Sequence, residues 1–225
     1  MKKFAIIVAA GTGTRMGTDT PKQFLQLQGR PILEHTLARF LEAFPDLEVI
    51  LVIHKEWMEE GSKIASNMRD AARVRIVEGG ETRFHSVQNG LGLVNEPGLV
   101  AVHDAVRCLV SVSLIRHCYG QAGEHGMAIP AVPAKDSIRV VGELGARVIE
   151  RDQVRIIQTP QTFRSSILLP AFDQPYDPAF TDEATVVEKT GVNIRLVEGE
   201  ESNIKITLPF DLLIAEKILE ERAKI

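Results

Sequence analysis

Phe4-Ala5-Ile6-Ile7-Val8-Ala9-Ala10-Gly11-Thr12-Gly13-Thr14-Arg15-Met16-Gly17 is the stretch that decides the fold. An unbroken apolar run ending in a Gly/Thr-rich turn is the pattern of a strand buried on both faces. From Pro31 the period changes. Ile32, Leu33, Thr36, Leu37, Phe40, Leu41 and Phe44 fall on one helical face, with Pro31 placed to open it. The alternation then repeats. Strands are expected at 48–53, 73–77, 99–103 and 127–132. Helices are expected at 56–69 and 82–93, with another capped by Ser111 or Ser113 whose apolar face is Leu114, Ile115, Cys118, Tyr119 and Ala122. This order predicts an α/β fold: a single Rossmann-like three-layer domain with a mostly parallel sheet covered on both faces. Ligands of such sheets sit beyond the carboxyl ends of the strands.

The alternation breaks at about 133–151. Two short β runs, 137–141 and 147–149, flank Gly142-Glu143-Leu144-Gly145 and predict a hairpin. An isolated two-stranded ribbon is marginal in water, so this arm is expected to pack against something, a second subunit included. Beyond it we expect a strand at 154–158, a loop containing Thr159-Pro160-Gln161, a helix opened by Thr181 or Asp182 and closed by Gly191, a strand at 193–197 and a helix from Pro209. With no repeat or linker, the whole chain, 1–225, is expected to be one domain with the arm as an excursion.

The composition narrows the functions. The 225 residues carry 26 Lys+Arg against 30 Asp+Glu, a formal charge of −4, with 44% hydrophobic residues. That excludes disorder and a disulfide scaffold, and it argues against binding long nucleic acids through bulk charge. Two cysteines make no zinc motif and fit reduced thiols. The apolar start is too short for a secretory leader, and no stretch approaches the roughly 20 apolar residues of a membrane span. The expected location is the cytoplasm.

Chemistry-bearing residues lie just after the strands. The first loop fits neither the dinucleotide glycine pattern, since residue 16 is Met, nor a Walker A loop. It supplies backbone N–H groups able to wrap a phosphate chain, with Arg15 and Lys22 as nearby cations. Asp104, ending a strand in His103-Asp104-Ala105-Val106-Arg107, stands where a Mg²⁺-binding carboxylate would sit, or where an Asp would cap the next element. Gly79-Gly80-Glu81-Thr82-Arg83-Phe84-His85-Ser86 offers N–H groups and a hydroxyl to a base edge, although helix capping by Thr82 explains it as well. Thr159-Pro160-Gln161 and Asn203-Ile204-Lys205-Ile206-Thr207 add polar groups at the same edge. No histidine pairing suggests nucleophilic catalysis, and no G-x-S-x-G elbow is present. His103 fits a packing or hydrogen-bonding role.

Taken in order, V-A-A-G-x-G-x-R-M-G, P-K-Q-F, H-D-A-x-R, T-P-Q and N-I-K-I-T resemble the 2-C-methyl-D-erythritol 4-phosphate cytidylyltransferase family over nearly the whole chain. The resemblance implies transfer of CMP from CTP to a phosphorylated polyol with release of diphosphate, in the non-mevalonate isoprenoid pathway, with Mg²⁺ as the divalent cation. It assigns Ala9, Ala10, Gly11 and Gly13 to the nucleotide loop, and Arg15 and Lys22 to the CTP phosphates. Gly80 and Ser86 would read cytidine, and Asp104 would hold Mg²⁺ and contact substrate. Arg107, Thr159 and Lys205 would hold the methylerythritol phosphate, with Lys205 also counted among the catalytic cations. Ser137 and Arg151 would reach a partner's site, making a homodimer. Three positions depart from the family's pattern: Cys108 where Pro is frequent, Ser202 where an acid or amide is frequent, and Ser137 where Thr is common. Relatives that act on ribitol 5-phosphate share most of these motifs and form the alternative. A dinucleotide-dependent oxidoreductase is the alternative of a different class, disfavoured by Met16 and by Ile53-His54-Lys55 where an acid would end the second strand.

Overall fold

The computed structural model describes residues 1–11, 20–143 and 145–224. The opening run forms β1 (Lys2–Ala9) at the middle of the sheet. Its parallel neighbours are β4 (Leu47–Ile53) and β6 (Gly98–Asp104), with Ile6 opposite Ile50 on one side and Val102 on the other. β5 (Val74–Glu78) continues the parallel set beyond β4. Successive residues of β1 enter different cores: Ala5, Ile7 and Ala9 one cluster, Phe4 and Ile6 another. Two covered faces are why the run is apolar without alternation. Each fully buried Ile or Phe in it contributes about 1.5–3 kcal/mol.

The first face is covered by α1 (Ile32–Ala43) and α4 (Val112–His125), through Leu33, Leu37 and Phe40 and through Leu114, Ile115 and Tyr119. Pro31 stands at the α1 N-cap. Ser111 is the cap that opens α4, its Oγ accepting the Leu114 N–H at 2.9 Å. Gly126, at φ 91°, closes α4 in the left-handed conformation that only glycine adopts cheaply. α2 (Met58–Ser66) packs beside α1. The other face is covered by α3 (Arg83–Leu91), α5 (Ser165–Ala171) and α6 (Glu183–Glu188). A two-rung ribbon, β2 (Gln26–Leu27) with β3 (Arg30–Pro31), precedes α1.

The far side of the sheet departs from the expected order. β7 (Met127–Pro133) is separated from β6 by β11 (Gln161–Arg164), which runs antiparallel to both. The expected loop at Thr159-Pro160-Gln161 therefore ends inside a strand. β10 (Arg155–Ile157) pairs with the other end of β7, also antiparallel. Between the Ile157–Ala131 and Thr162–Ala128 pairs, one chain advances five residues and β7 three. A two-residue bulge thus sits at Thr159. β12 (Leu196–Glu198) adds in parallel to β7. The arm is β8 (Ile138–Gly142) with β9 (Gly145–Ile149), a sheet of its own with Val141 and Val148 largely exposed. α7 (Pro209–Arg222) closes the chain and packs Ala215 and Leu219 into a third cluster with Leu27, Ile32 and Cys108.

Candidate active site

The carboxyl ends of β1, β5 and β6 open onto a cleft of about 430 Å³. Ala9, Ala10 and Gly11 line it together with Gly80 and Ser86. The two loops touch. A side-chain carbon on Gly79 would stand 2.4 Å from the Ala10 Cβ, so this approach requires glycine. Ser86 Oγ accepts the Gly80 N–H at 3.1 Å and thereby shapes the loop. Thr82 caps α3, accepting the His85 N–H at 3.4 Å, so the capping role holds as well. Gln23 is fully engaged. Its side-chain amide donates to the Ala9 carbonyl at 2.7 Å and the Gly11 carbonyl at 3.0 Å, pinning the backbone that enters the Gly-rich loop. Lys22, on the same 3-10 turn, lines the cleft floor. Gly13 and Arg15 lie outside the described residues.

Asp104 is the electrostatic centre. Its Oδ1 accepts from Arg83 at 3.2 Å, Lys205 Nζ stands 2.8 Å from Oδ2, and Arg107 Nε lies 3.8 Å from Oδ2. Burial works against the carboxylate, but Arg83, Lys205 and Arg107 outweigh it and hold Asp104 well below the usual carboxylate range. Arg83 also forms a two-pronged ion pair with the buried Glu183, whose own carboxyl is pushed up by burial despite that partner. Asp104 and Glu183 thus hold Arg83 from both sides. Lys205 is placed by its flanks. The Asn203 side chain donates to the Thr159 carbonyl at 2.9 Å, and the Ile206 N–H donates to the Val106 carbonyl at 3.0 Å.

A second, smaller chamber of about 160 Å³ lies on the other side of this cluster, with Arg107, Thr159, Gln161 and Thr181 among its walls. The two chambers share Arg83, Asp104 and Lys205. Arg107 donates to the Asn203 carbonyl at 2.9 Å, while its buried Nε has no hydrogen-bond partner among the described residues. The arrangement is a pair of chambers, each with cationic side chains in its walls, with a charged partition.

Lys22, Lys205, Asp104, Arg107 and Thr159 therefore converge with the three described nucleotide-loop residues and with Gly80 and Ser86. Ser137 and Arg151 do not. They stand exposed at the arm's base, where Arg151 donates to the Lys135 carbonyl at 3.1 Å. The departures fall outside the chambers: Cys108 is buried in the third core cluster and Ser202 Oγ accepts from Arg222 at 2.9 Å. Gln23 and Glu183 were not singled out by sequence reasoning. Among the described residues no group of three or more His, Cys, Asp or Glu side chains could form a metal cage.

A family model described as 2-C-methyl-D-erythritol 4-phosphate cytidylyltransferase (IspD) matches residues 4–221. The chain belongs to the 2-C-methyl-D-erythritol 4-phosphate cytidylyltransferase family. It is 44% identical to the 2-C-methyl-D-erythritol 4-phosphate cytidylyltransferase of Bacteroides thetaiotaomicron, over 97% of this chain and 100% of the relative. Its fold matches the 4-diphosphocytidyl-2C-methyl-D-erythritol synthase of Anaerococcus prevotii at a TM-score of 0.83 and 29% identity, covering 96% of this chain and 97% of the other. The Francisella tularensis 2-C-methyl-D-erythritol 4-phosphate cytidylyltransferase matches at 0.80 and 34%, over 96% and 99%. Membership carries the expected chemistry class, cytidylyl transfer, and sets aside the dinucleotide-dependent oxidoreductase.

Proposed function

We propose that this chain transfers CMP from CTP to 2-C-methyl-D-erythritol 4-phosphate, giving 4-diphosphocytidyl-2-C-methyl-D-erythritol and diphosphate. One observation carries the proposal beyond family membership: two chambers with cationic side chains in their walls meet at Arg83, Asp104 and Lys205. The larger takes the nucleotide, with the base against Gly80 and Ser86 and the phosphates on Ala9, Ala10, Gly11, Gly13, Arg15 and Lys22. The smaller takes the polyol phosphate on Arg107 and Lys205, with Thr159 in its wall.

An oxygen of the polyol phosphate attacks the α-phosphorus, a new P–O bond forms, and the bond to the β-phosphate oxygen breaks as diphosphate leaves. The second pKa of a phosphate monoester is about 6, so the nucleophile is already ionised at neutral pH and needs no general base. The work left to the protein is holding two anions in line and stabilising charge on the α-phosphate oxygens and the leaving group. Lys22, Arg15 and Lys205 supply that charge. Mg²⁺ is characteristically bound by one or two carboxylates plus substrate phosphates, and Asp104 fits as that single carboxylate. When bound, Mg²⁺ neutralises phosphate charge.

We further place the enzyme as a single 1–225 nucleotidyltransferase domain that forms a homodimer. Val140, Val141 and Val148, exposed on the arm, support burial against a second copy, with Ser137 and Arg151 delivered to the partner's smaller chamber. The two free, buried cysteines fit a reducing compartment such as the cytoplasm. The test is diphosphate release from CTP with each polyol phosphate in turn. Turnover with 2-C-methyl-D-erythritol 4-phosphate is expected; preference for ribitol 5-phosphate would overturn the assignment of substrate.

A further inference from the structure

His103 is completely buried one residue before Asp104, with the Phe40 ring centroid 4.8 Å from its own. Its two nitrogens meet partners of opposite demand. Nε2 lies 3.2 Å from the Arg107 carbonyl oxygen, which can only accept, so Nε2 carries the ring proton. Fully buried against the Phe40 ring, with a carbonyl and a hydroxyl as its hydrogen-bond partners, the imidazole is neutral and Nδ1 presents a lone pair. Thr159 Oγ1 is 3.0 Å from that Nδ1, and the hydroxyl therefore donates to it. The same oxygen accepts the Asp104 N–H at 3.1 Å.

A threonine hydroxyl has one proton, and here His103 takes it. A phosphate dianion offers acceptors only, so it competes for the same proton. We infer that His103 is a positioning residue for the transfer: it turns the Thr159 hydroxyl onto the β6 backbone and away from the polyol phosphate. Thr159 then ties the bulged strand to Asp104, while His103 also grips the Arg107 carbonyl. The phosphate is left to Arg107 and Lys205. One imidazole thus fixes three residues around the smaller chamber from behind, without touching substrate. The inference rests on the assignment of that chamber to the polyol phosphate, and it revises the direct phosphate contact that the resemblance implied for Thr159.

Two measurements test it, and the first does not depend on turnover. Proton–nitrogen NMR of the labelled enzyme at neutral pH should show His103 as the neutral Nε2–H tautomer; an Nδ1–H tautomer or an imidazolium overturns the inference. The second compares His103→Phe and His103→Gln with wild type in the diphosphate-release assay. His103→Phe should lower kcat/KM for the polyol phosphate by about 10-fold or more, with KM for CTP within about twofold. His103→Gln should recover most of the loss, because its amide again offers an N–H for the Arg107 carbonyl and an oxygen acceptor for the Thr159 hydroxyl. An unchanged or improved KM for the polyol phosphate in His103→Phe would mean that the freed Thr159 hydroxyl serves the phosphate, and the inference fails. If His103→Phe does not fold, the tautomer decides alone. Wild type without turnover on this polyol would defeat the proposed substrate and leave the tautomer result standing.

Discussion

Lys205 Nζ stands 2.8 Å from Asp104 Oδ2, in the partition between the two chambers. The ammonium is held by a carboxylate yet only half-covered, so it can trade that partner for an incoming phosphate oxygen without a large rearrangement. Replacement by alanine should lower kcat/KM for the polyol phosphate by about 10²-fold. Steady-state kinetics with each substrate varied in turn checks this, and near-wild-type turnover would remove Lys205 from the mechanism.

Lys22 lines the larger chamber, and Arg15 is assigned to the same phosphates by the sequence motif. Lys22→Ala and Arg15→Ala should each lower kcat by about 10²-fold or more, since each removes a charge assigned to the α-phosphate and the leaving group. Single-turnover rates at saturating CTP separate this from weakened binding. Unchanged rates would leave both lysine and arginine as bystanders.

Gln23 holds two loop carbonyls with one amide. Gln23→Leu keeps the volume and deletes both bonds, at roughly 1 kcal/mol each. KM for CTP should rise by about 10-fold while KM for the polyol phosphate stays close to wild type. A uniform loss of both would point to general destabilisation instead.

Acid stability should expose the ionic partition. Asp104 has a folded pKa below its unfolded value of about 3.9, so its contribution is complete above that value and is lost as pH falls through the folded one. Glu183 has the opposite shift, so its ionisation costs stability at neutral pH and that cost disappears on acidification. As pH falls below about 4, the Tm of Asp104→Asn should fall less than that of wild type; as pH falls from neutral to about 4.3, the Tm of Glu183→Gln should fall more. Melting curves that run parallel across the three proteins would contradict both shifts.

The parallel half of the molecule was legible because its strands are buried on both faces and its helices carry one apolar stripe. Phe4 to Val8 and the α4 face from Leu114 to Ala122 state their environments locally. β11 was not legible. Its four residues, Gln161 to Arg164, show no period that four positions could establish, and they are strand because β6 and β7 lie on either side. α5 hid behind Pro170, which sits inside the helix. In the site, Ala9, Ala10, Gly11, Gly80, Ser86 and Asp104 line one cleft beyond the strand ends, where the α/β rule places ligands. The roles that depend on partners far along the chain did not show. Arg83 and Glu183 are separated by a hundred positions, and nothing near either one names the other. The arm was visible as a break in the alternation, and its two strands form a sheet of their own.

The charged partition between the chambers also bears on how a turnover ends. Diphosphate leaves from one side alone. The other product carries cytidine at one end and the polyol at the other, joined by the linkage just made beside Arg83, Asp104 and Lys205. On the proposed assignment it would hold both footholds at once, so a bridging mimic of it would engage both chambers together.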